Sequence, residues 1–339
     1  MYGATNPGRT ALPRCIYCLK GGVATDFNRE HVIPESCGRF QDALVAHELV
    51  CTSCNSYFGG SLDLILARGT DEGLQRYFFE VKPKEEIARF RYDALTIHYQ
   101  GGGDYNGAIL RLSADPSATN GFRATPIEQV GFALSSGLGF EWMPLKDVYE
   151  GVWKERDDLD PKKGVRIYAS DHEAVRTFLK AEGVDLPSWR QMARDDDSSE
   201  EVLVHQVSRI TTDVERAIAK ISFNYLALVN GAAFALRPDF DPIRRFIRFG
   251  QEQQVGFIHV DTNEVLSLPR PPGTPEDQRP VVHVLTVEYS LHETSVIGQV
   301  SLFGGFRYVV CHAETAVPGL RRSGHLYNVA ELSVVRLGK

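Results

Sequence analysis

Two Cys-x-x-Cys pairs, Cys15-Ile-Tyr-Cys18 and Cys51-Thr-Ser-Cys54, stand 32 residues apart near the start of the chain. Two-residue spacing lets both thiolates of a pair reach one ion from a tight turn. Two such knuckles complete a tetrahedral four-thiolate zinc site. The competing reading, a pair of disulfides or free thiols, fits poorly. Residues 1–14 carry no apolar export segment, and the cytosol keeps thiols reduced. Four thiolates fill the coordination shell, so this ion is expected to be structural, with no open position for catalysis. Cys37 and Cys311 lie outside the pattern and read as ordinary buried or bystander thiols.

The staple has a mechanical purpose. The first 80 residues are short of continuous apolar runs and contain Gly21-Gly22 and Gly59-Gly60. A unit that small needs a cross-link to stay folded. The whole chain, at 339 residues, has room for roughly two domains at about 150 residues each. Lys82-Pro83-Lys84 ends the last early helix, so the expected division is a module over 1–80 and a second domain over 81–339. The net charge of −7 excludes a chain-wide basic surface, and residues 1–70 hold six basic and six acidic side chains. The most apolar stretch, Ile221 to Leu236, is interrupted by Ser222, Asn224 and Asn230. It is too short for about 30 Å of hydrocarbon. The expectation is a cytoplasmic protein with no membrane partner.

Between the pairs lies Phe27-Asn28-Arg29-Glu30-His31-Val32-Ile33-Pro34, read as a short strand around Glu30 to Ile33 that Pro34 ends. After the second pair, Phe58, Leu62, Ile65 and Leu66 have helical spacing, so a helix is expected from near Asn55 to a stop at Gly69. Zinc would hold this strand and the first helical turn face to face. Cys-x-x-Cys, then Glu-His-Val-Ile-Pro, then Cys-x-x-Cys-Asn-x-x-Phe-Gly, resembles the HNH endonuclease family over about Cys15 to Asp63. That resemblance implies a zinc-stapled ββα-metal module. It makes His31 the general base that activates a water, and Glu30 a ligand of the catalytic metal. Asn55, at a position often occupied by His in the family, becomes a second ligand of that metal. The family's middle Asn has no counterpart; Ala46 and His47 stand where it would be sought.

The residue types agree with phosphodiester hydrolysis. A neutral imidazole near pH 7 can take a proton from water. One hard divalent cation stabilises charge on the phosphate and the leaving oxygen. Oxygen donors such as Glu30 and Asn55 suit Mg²⁺ or Mn²⁺ better than zinc. Each residue also has a plain alternative. His beside Glu on a strand is ordinarily a surface polar pair, and Asn at a helix start is ordinarily a cap. Asp63 and Glu35 read as solvated residues.

Beyond Gly69, Thr70-Asp71-Glu72 caps a short helix through Phe79. Residues 88–113 alternate like strands around the turn Gly101 to Asp104, which lacks the Gly-Lys-Ser/Thr of a phosphate loop. Helices are expected over Asp171 to Ala181, Ser208 to Val229, and onward from Asp241-Pro242. The run Asp195-Asp196-Asp197 with Glu200-Glu201 reads as a solvated loop, and Leu268 to Pro280 as a proline-rich one. Val281 to Tyr289 and Val296 to Cys311 read as paired strands. Arg244, Arg245 and Arg248 form the densest basic cluster and are read as a DNA contact or a solvated helix face.

The fold class expected is α+β, a small zinc-stabilised ββα-metal module followed by a larger mixed α/β domain. The function expected is a DNA endonuclease using structural Zn²⁺ and catalytic Mg²⁺ or Mn²⁺. The larger domain is open to DNA recognition, self-assembly or a regulatory partner. Two rivals stand beside this reading: a non-catalytic zinc-binding interaction module, and a nuclease directed at RNA.

Overall fold

The computed structural model describes residues 12–101, 103, 105–184, 186, 189–191, 203–250, 257–261 and 281–337. The acidic run at 195–201 and the proline-rich stretch 268–280 lie outside them. The chain divides into two compact units, Met1–Lys82 with Ile210–Lys339, and Pro83–Arg209.

The first unit opens with a two-stranded ribbon, β1 (Glu30–His31) against β2 (Val45–Ala46), with Glu30 opposite Ala46 and His31 opposite Val45. Three helices follow, α1 (Thr52–Gly60), α2 (Leu62–Gly69) and α3 (Asp71–Phe78). The single helix expected from Asn55 is thus two helices, starting three residues earlier and broken at Ser61 (φ −125°, ψ −84°). Gly59 and Gly60 just before the break are poor helix formers, each costing about 1 kcal/mol against Ala. Gly69 does end α2. Thr70 caps α3 by accepting the Gly73 N–H at 3.2 Å. A Cβ at Gly73 would lie 2.8 Å from the Leu66 and Ala67 carbonyl oxygens, so the tight α2–α3 corner requires glycine there.

The second unit holds β3 (Leu95–Tyr99), β4 (Ile109–Ala114), β5 (Phe122–Pro126), β6 (Gln129–Ala133), β7 (Phe140–Pro144), α4 (Leu145–Tyr149), β8 (Val165–Tyr168), α5 (His172–Ala181), β9 (Trp189–Gln191) and β10 (Val204–Ser208). They form two four-stranded sheets, ordered β10-β3-β4-β5 and β7-β6-β8-β9, antiparallel except for β8–β9. The fully buried Gln129 side chain links them, its amide exchanging two hydrogen bonds with the backbone of Ile109 at 2.8 and 3.0 Å. The helix expected over Asp171 to Ala181 is present as α5, with Asp171 as its cap, accepting the Ala174 N–H.

The chain then returns to the first unit with α6 (Thr212–Asn230), α7 (Ala232–Ala235) and α8 (Asp241–Phe249). The strands β11 (Ile258–Asp261), β12 (Val282–Tyr289), β13 (Val296–Ser301), β14 (Arg307–Ala313), β15 (Ser323–Asn328) and β16 (Ser333–Arg336) complete it. These strands make one antiparallel sheet, β11-β14-β13-β12-β15-β16. Here the structure departs from one domain over 81–339. The physical reason is α6. It is buried along most of its length, from Val214 to Ala227, and packs on α2, α8, β2 and the sheet. A Cβ at Gly298 would fall 2.1 Å from the Ser222 hydroxyl, so glycine in β13 is what lets the helix approach. Burying that apolar surface requires both the N-terminal helices and the C-terminal sheet. The architecture is α+β.

Candidate functional site

The first knuckle turns at Leu19, whose positive φ of 61° brings the Cys15 N–H onto the Lys20 carbonyl at 3.0 Å. The second lies at the start of α1. Cys51 precedes its first residue and Cys54 sits inside its first turn, because two-residue spacing on a helix turns both side chains toward one side. The four sulfurs lie within 4.8 Å of one another, and Cys18 and Cys51 are 3.7 Å apart. A tetrahedron with Zn–S bonds of 2.3 Å has an edge of about 3.8 Å. The Cys51 N–H donates to the Cys15 sulfur at 3.4 Å. A hydrogen bond from Cys54 outweighs burial and pulls the Cys15 thiol down to about 4, while the same contact pushes Cys54 up. Sulfurs packed this closely are placed so that all four could hold one metal ion, consistent with the structural zinc expected from the spacing. Cys37 is buried apart from them, its thiol pushed up to about 12 by burial.

Next to the cluster is a cavity of about 220 Å³ lined by Arg29, Glu30, His31, Glu35, Asn55 and Asp63, among others. All three residues singled out for chemistry therefore face one space. The Asn55 amide nitrogen donates to the Arg29 carbonyl at 3.2 Å, which ties the first turn of α1 to the entry of β1. His31 Nε2 lies 3.2 Å from a Glu35 carboxylate oxygen, whose other oxygen is 3.6 Å from Arg39. Glu35 is half-exposed, but it is engaged rather than simply solvated. Ala46 is fully buried opposite Glu30 and His47 is exposed, so neither supplies an orienting amide for His31.

Glu30 is only 4% exposed, and one of its carboxylate oxygens accepts two donors. These are Lys220 Nζ at 2.8 Å and the Asn224 amide at 3.0 Å, both from α6. Asn224 in turn accepts the Tyr17 hydroxyl at 2.7 Å. Lys220 also contacts both oxygens of Asp63, at 2.7 and 2.8 Å, and lies over the Phe58 ring. Burial opposes the charge of this lysine, yet Asp63 and Glu30 prevail and hold it protonated, above the usual lysine range. The solvated role expected for Asp63 is thus corrected: it belongs to a carboxylate–ammonium–carboxylate triad centred on the buried Lys220.

Sequence reasoning missed Lys220, Asn224 and Tyr17. A signal was present. Lys220 and Asn224 stand four apart on the long helix expected from Ser208 to Val229, and a lysine inside a buried stretch needs a charged partner.

The arginine cluster is also corrected. Arg244 is 2% exposed, with hydrogen bonds to the Ile16 carbonyl at 2.8 Å and the Ala235 carbonyl at 2.6 Å, and an ion pair with Asp241. It braces the first knuckle against α7 and α8. Arg248 lies 4.1 Å above the Tyr57 ring and reaches toward Cys54, while Arg245 is exposed. Their spacing on the helix sends them to different surroundings, so they form no common patch.

Residues 15–69 match the family model of HNH endonucleases, a span that takes in the cysteine cluster, Glu30-His31 and Asn55. No curated protein and no solved structure matches the chain. The matched region is similar to the endonuclease module that defines that family, whose substrates are nucleic acids. Among the described residues, no helix is long and apolar enough to cross a membrane.

Proposed function

We propose that the chain is a metal-dependent endonuclease that hydrolyses DNA phosphodiester bonds, with His31 as general base and a divalent cation held by Glu30 and Asn55. The observation that carries this reading is the shared cavity: Glu30, His31 and Asn55 line one space beside the four-cysteine cluster. Structural Zn²⁺ is the ion proposed for that cluster, on the fit of its sulfur spacing. It fixes β1 and the start of α1 relative to each other and takes no part in the chemistry.

The donor set of the cavity fits a hard cation. Glu30 and Asp63 bring carboxylates. Asn55, its amide nitrogen committed to Arg29, has its amide oxygen left as an acceptor. Mg²⁺ or Mn²⁺ bound there would neutralise charge on the scissile phosphate and the leaving oxygen. The protein's own part is proton transfer and orientation. With Nε2 of His31 donating to Glu35, Nδ1 keeps the lone pair that can accept a proton from water. Glu35 then does the orienting work for which no amide is available at Ala46. In this reading the nuclease module of residues 1–80 works as one body with the helix α6 that completes its cavity. The unit Pro83–Arg209 is left for substrate recognition, assembly or regulation.

One observation favours a second reading, in which the module binds zinc and a partner without catalysis: the Glu30 carboxylate already has a cationic partner in Lys220. Incubating the purified protein with labelled DNA and RNA in parallel, with Mg²⁺, Mn²⁺ or EDTA, separates the readings. Metal-dependent cleavage of DNA is the expected result. Cleavage of RNA alone would reassign the substrate, and no cleavage of either would support the non-catalytic module.

A further inference from the structure

The triad explains something about the cavity that its lining residues alone do not. Lys220 is not among the groups facing the cavity, so neither substrate nor water-borne phosphate reaches it. It sits behind the wall, with its ammonium shared between Glu30 and Asp63 at 2.7 to 2.8 Å. A lysine in that place does two things. It holds two carboxylates side by side that would otherwise repel each other. It also supplies one positive charge at the point where a divalent cation would supply two. With Lys220 present the triad carries a net charge of −1; without it, −2.

We propose that Lys220 is a positioning residue that sets how weakly the cavity binds its divalent cation, by competing for the Glu30 and Asp63 carboxylates from behind. Asn224 assists: its amide, oriented by the Tyr17 hydroxyl, fixes the same Glu30 oxygen that Lys220 contacts and so keeps the other one for the cavity side. The metal is then taken up against a resident charge, and a site made this way is loaded at high metal concentration rather than permanently. This inference rests on the reading of Glu30 as a metal-facing carboxylate. It adds that α6, some 190 residues further along the chain, controls metal affinity.

The test is titration of the full-length, zinc-containing protein with Mn²⁺, following free Mn²⁺ by electron paramagnetic resonance. Lys220→Met should bind Mn²⁺ at least ~10-fold more tightly than wild type, because a unit charge a few ångströms from the ion is removed in a poorly screened setting. Lys220→Arg, which keeps the charge, should stay near wild type. A lysine with a merely structural role would give the opposite sign, since loosening Glu30 weakens a metal site.

Lys220→Met leaves two carboxylates without their cation and is the variant most exposed to misfolding. The same comparison is therefore made in the Asp63→Asn background, where Lys220 faces Glu30 alone. There too, adding Lys220→Met should tighten Mn²⁺ binding. Unchanged or weaker binding in both backgrounds, with zinc content and circular dichroism intact, would overturn the proposal. So would absence of Mn²⁺ binding in every variant. Tighter binding by Lys220→Met, together with no DNA cleavage by wild type, would leave the role of Lys220 standing and overturn the endonuclease reading instead.

Discussion

The four sulfurs of the cysteine cluster come from residues 15 to 54, and the backbone turns that present them are built within the same stretch. The charged cavity beside them is assembled differently. Glu30, His31, Asn55 and Asp63 are local, but the groups that fix Glu30 and Asp63 arrive from Lys220 and Asn224 on α6. The cluster draws all four sulfurs from one short stretch, with Arg244 of α8 bracing its first knuckle from outside. The cavity is a joint between the N-terminal module and the C-terminal helix, and its electrostatics depend on a fold that closes late in the chain. A module of this kind is expected to lose its shape when a cysteine is lost, and to lose or retune its chemistry when α6 is altered.

The largest effect should come from breaking the cluster. Cys51→Ser removes one sulfur ligand while keeping the backbone N–H that donates to Cys15. The protein should lose its zinc and the N-terminal module should unfold, since the binding energy of a structural zinc, on the order of 10 kcal/mol, is folding energy. Elemental analysis and circular dichroism check this. A fully folded Cys51→Ser protein at the wild-type melting temperature would show that the cluster is not a staple.

Breaking the joint should cost less but still much. Lys220→Met strands the buried Glu30 carboxylate and the partly exposed Asp63 carboxylate and should destabilise the first unit by about 3–5 kcal/mol in urea denaturation. Adding Asp63→Asn should recover part of that loss, because one of the stranded charges is then gone. Equal stability of the single and double variants would show that the triad is not coupled.

A third test concerns the way the cavity loop is tied to the sheet. His283 on β12 is fully buried, with its ring nitrogens 3.0 Å from the Cys37 carbonyl and from the Phe303 N–H, which donates to it. Burial pulls its pKa from 6.5 to about 4. The folded-state value lies below the unfolded one, so the unfolded chain binds the extra proton between these limits. Stability that is fully present above pH 6.5 is therefore lost as the pH falls toward 4, by about 3 kcal/mol for this one group. His312, pulled down by burial to about 3, acts in the same sense, whereas Glu72, pushed up by burial, acts in the other. Comparing urea midpoints of wild type and His283→Gln from pH 7 to 4.5 isolates the term. The variant should show the shallower decline, and parallel curves would remove His283 from the account.

The smallest effects separate the arginines of α8. Arg244→Ala leaves the Ile16 and Ala235 carbonyls without their donor and should cost about 1–3 kcal/mol. Arg245→Ala, at an exposed position, should stay within about 0.5 kcal/mol. Equal costs would argue against the bracing role of Arg244.

Much of this was legible in the sequence where the signal is local. Cysteine spacing marks a cluster because a tetrahedral ion accepts few backbone geometries. Thr70 and Asp171 mark helix starts because their side chains can accept an N–H three residues on. The HNH resemblance covers a short, ordered set of motifs. The reading failed where the partner is remote or the surroundings decide. Asp63 looks like a solvated helix residue until Lys220 is brought to it, and Arg244 looks like part of a surface patch until α7 and the first knuckle close over it. The single domain expected after residue 80 failed for the same reason. Nothing in the local pattern of α6 says that its apolar faces are shared between helices before residue 80 and strands after residue 280.

The central claim is that the cavity between β1 and α1 is a hydrolytic site in which His31 moves the proton. It is tested most directly by plasmid nicking with wild type and His31→Ala, both purified free of host nuclease and both confirmed to hold zinc. The account predicts metal-dependent nicking by wild type and a loss of roughly 10²–10⁴-fold in His31→Ala that excess Mg²⁺ or Mn²⁺ does not rescue. Near-wild-type nicking by His31→Ala would contradict it.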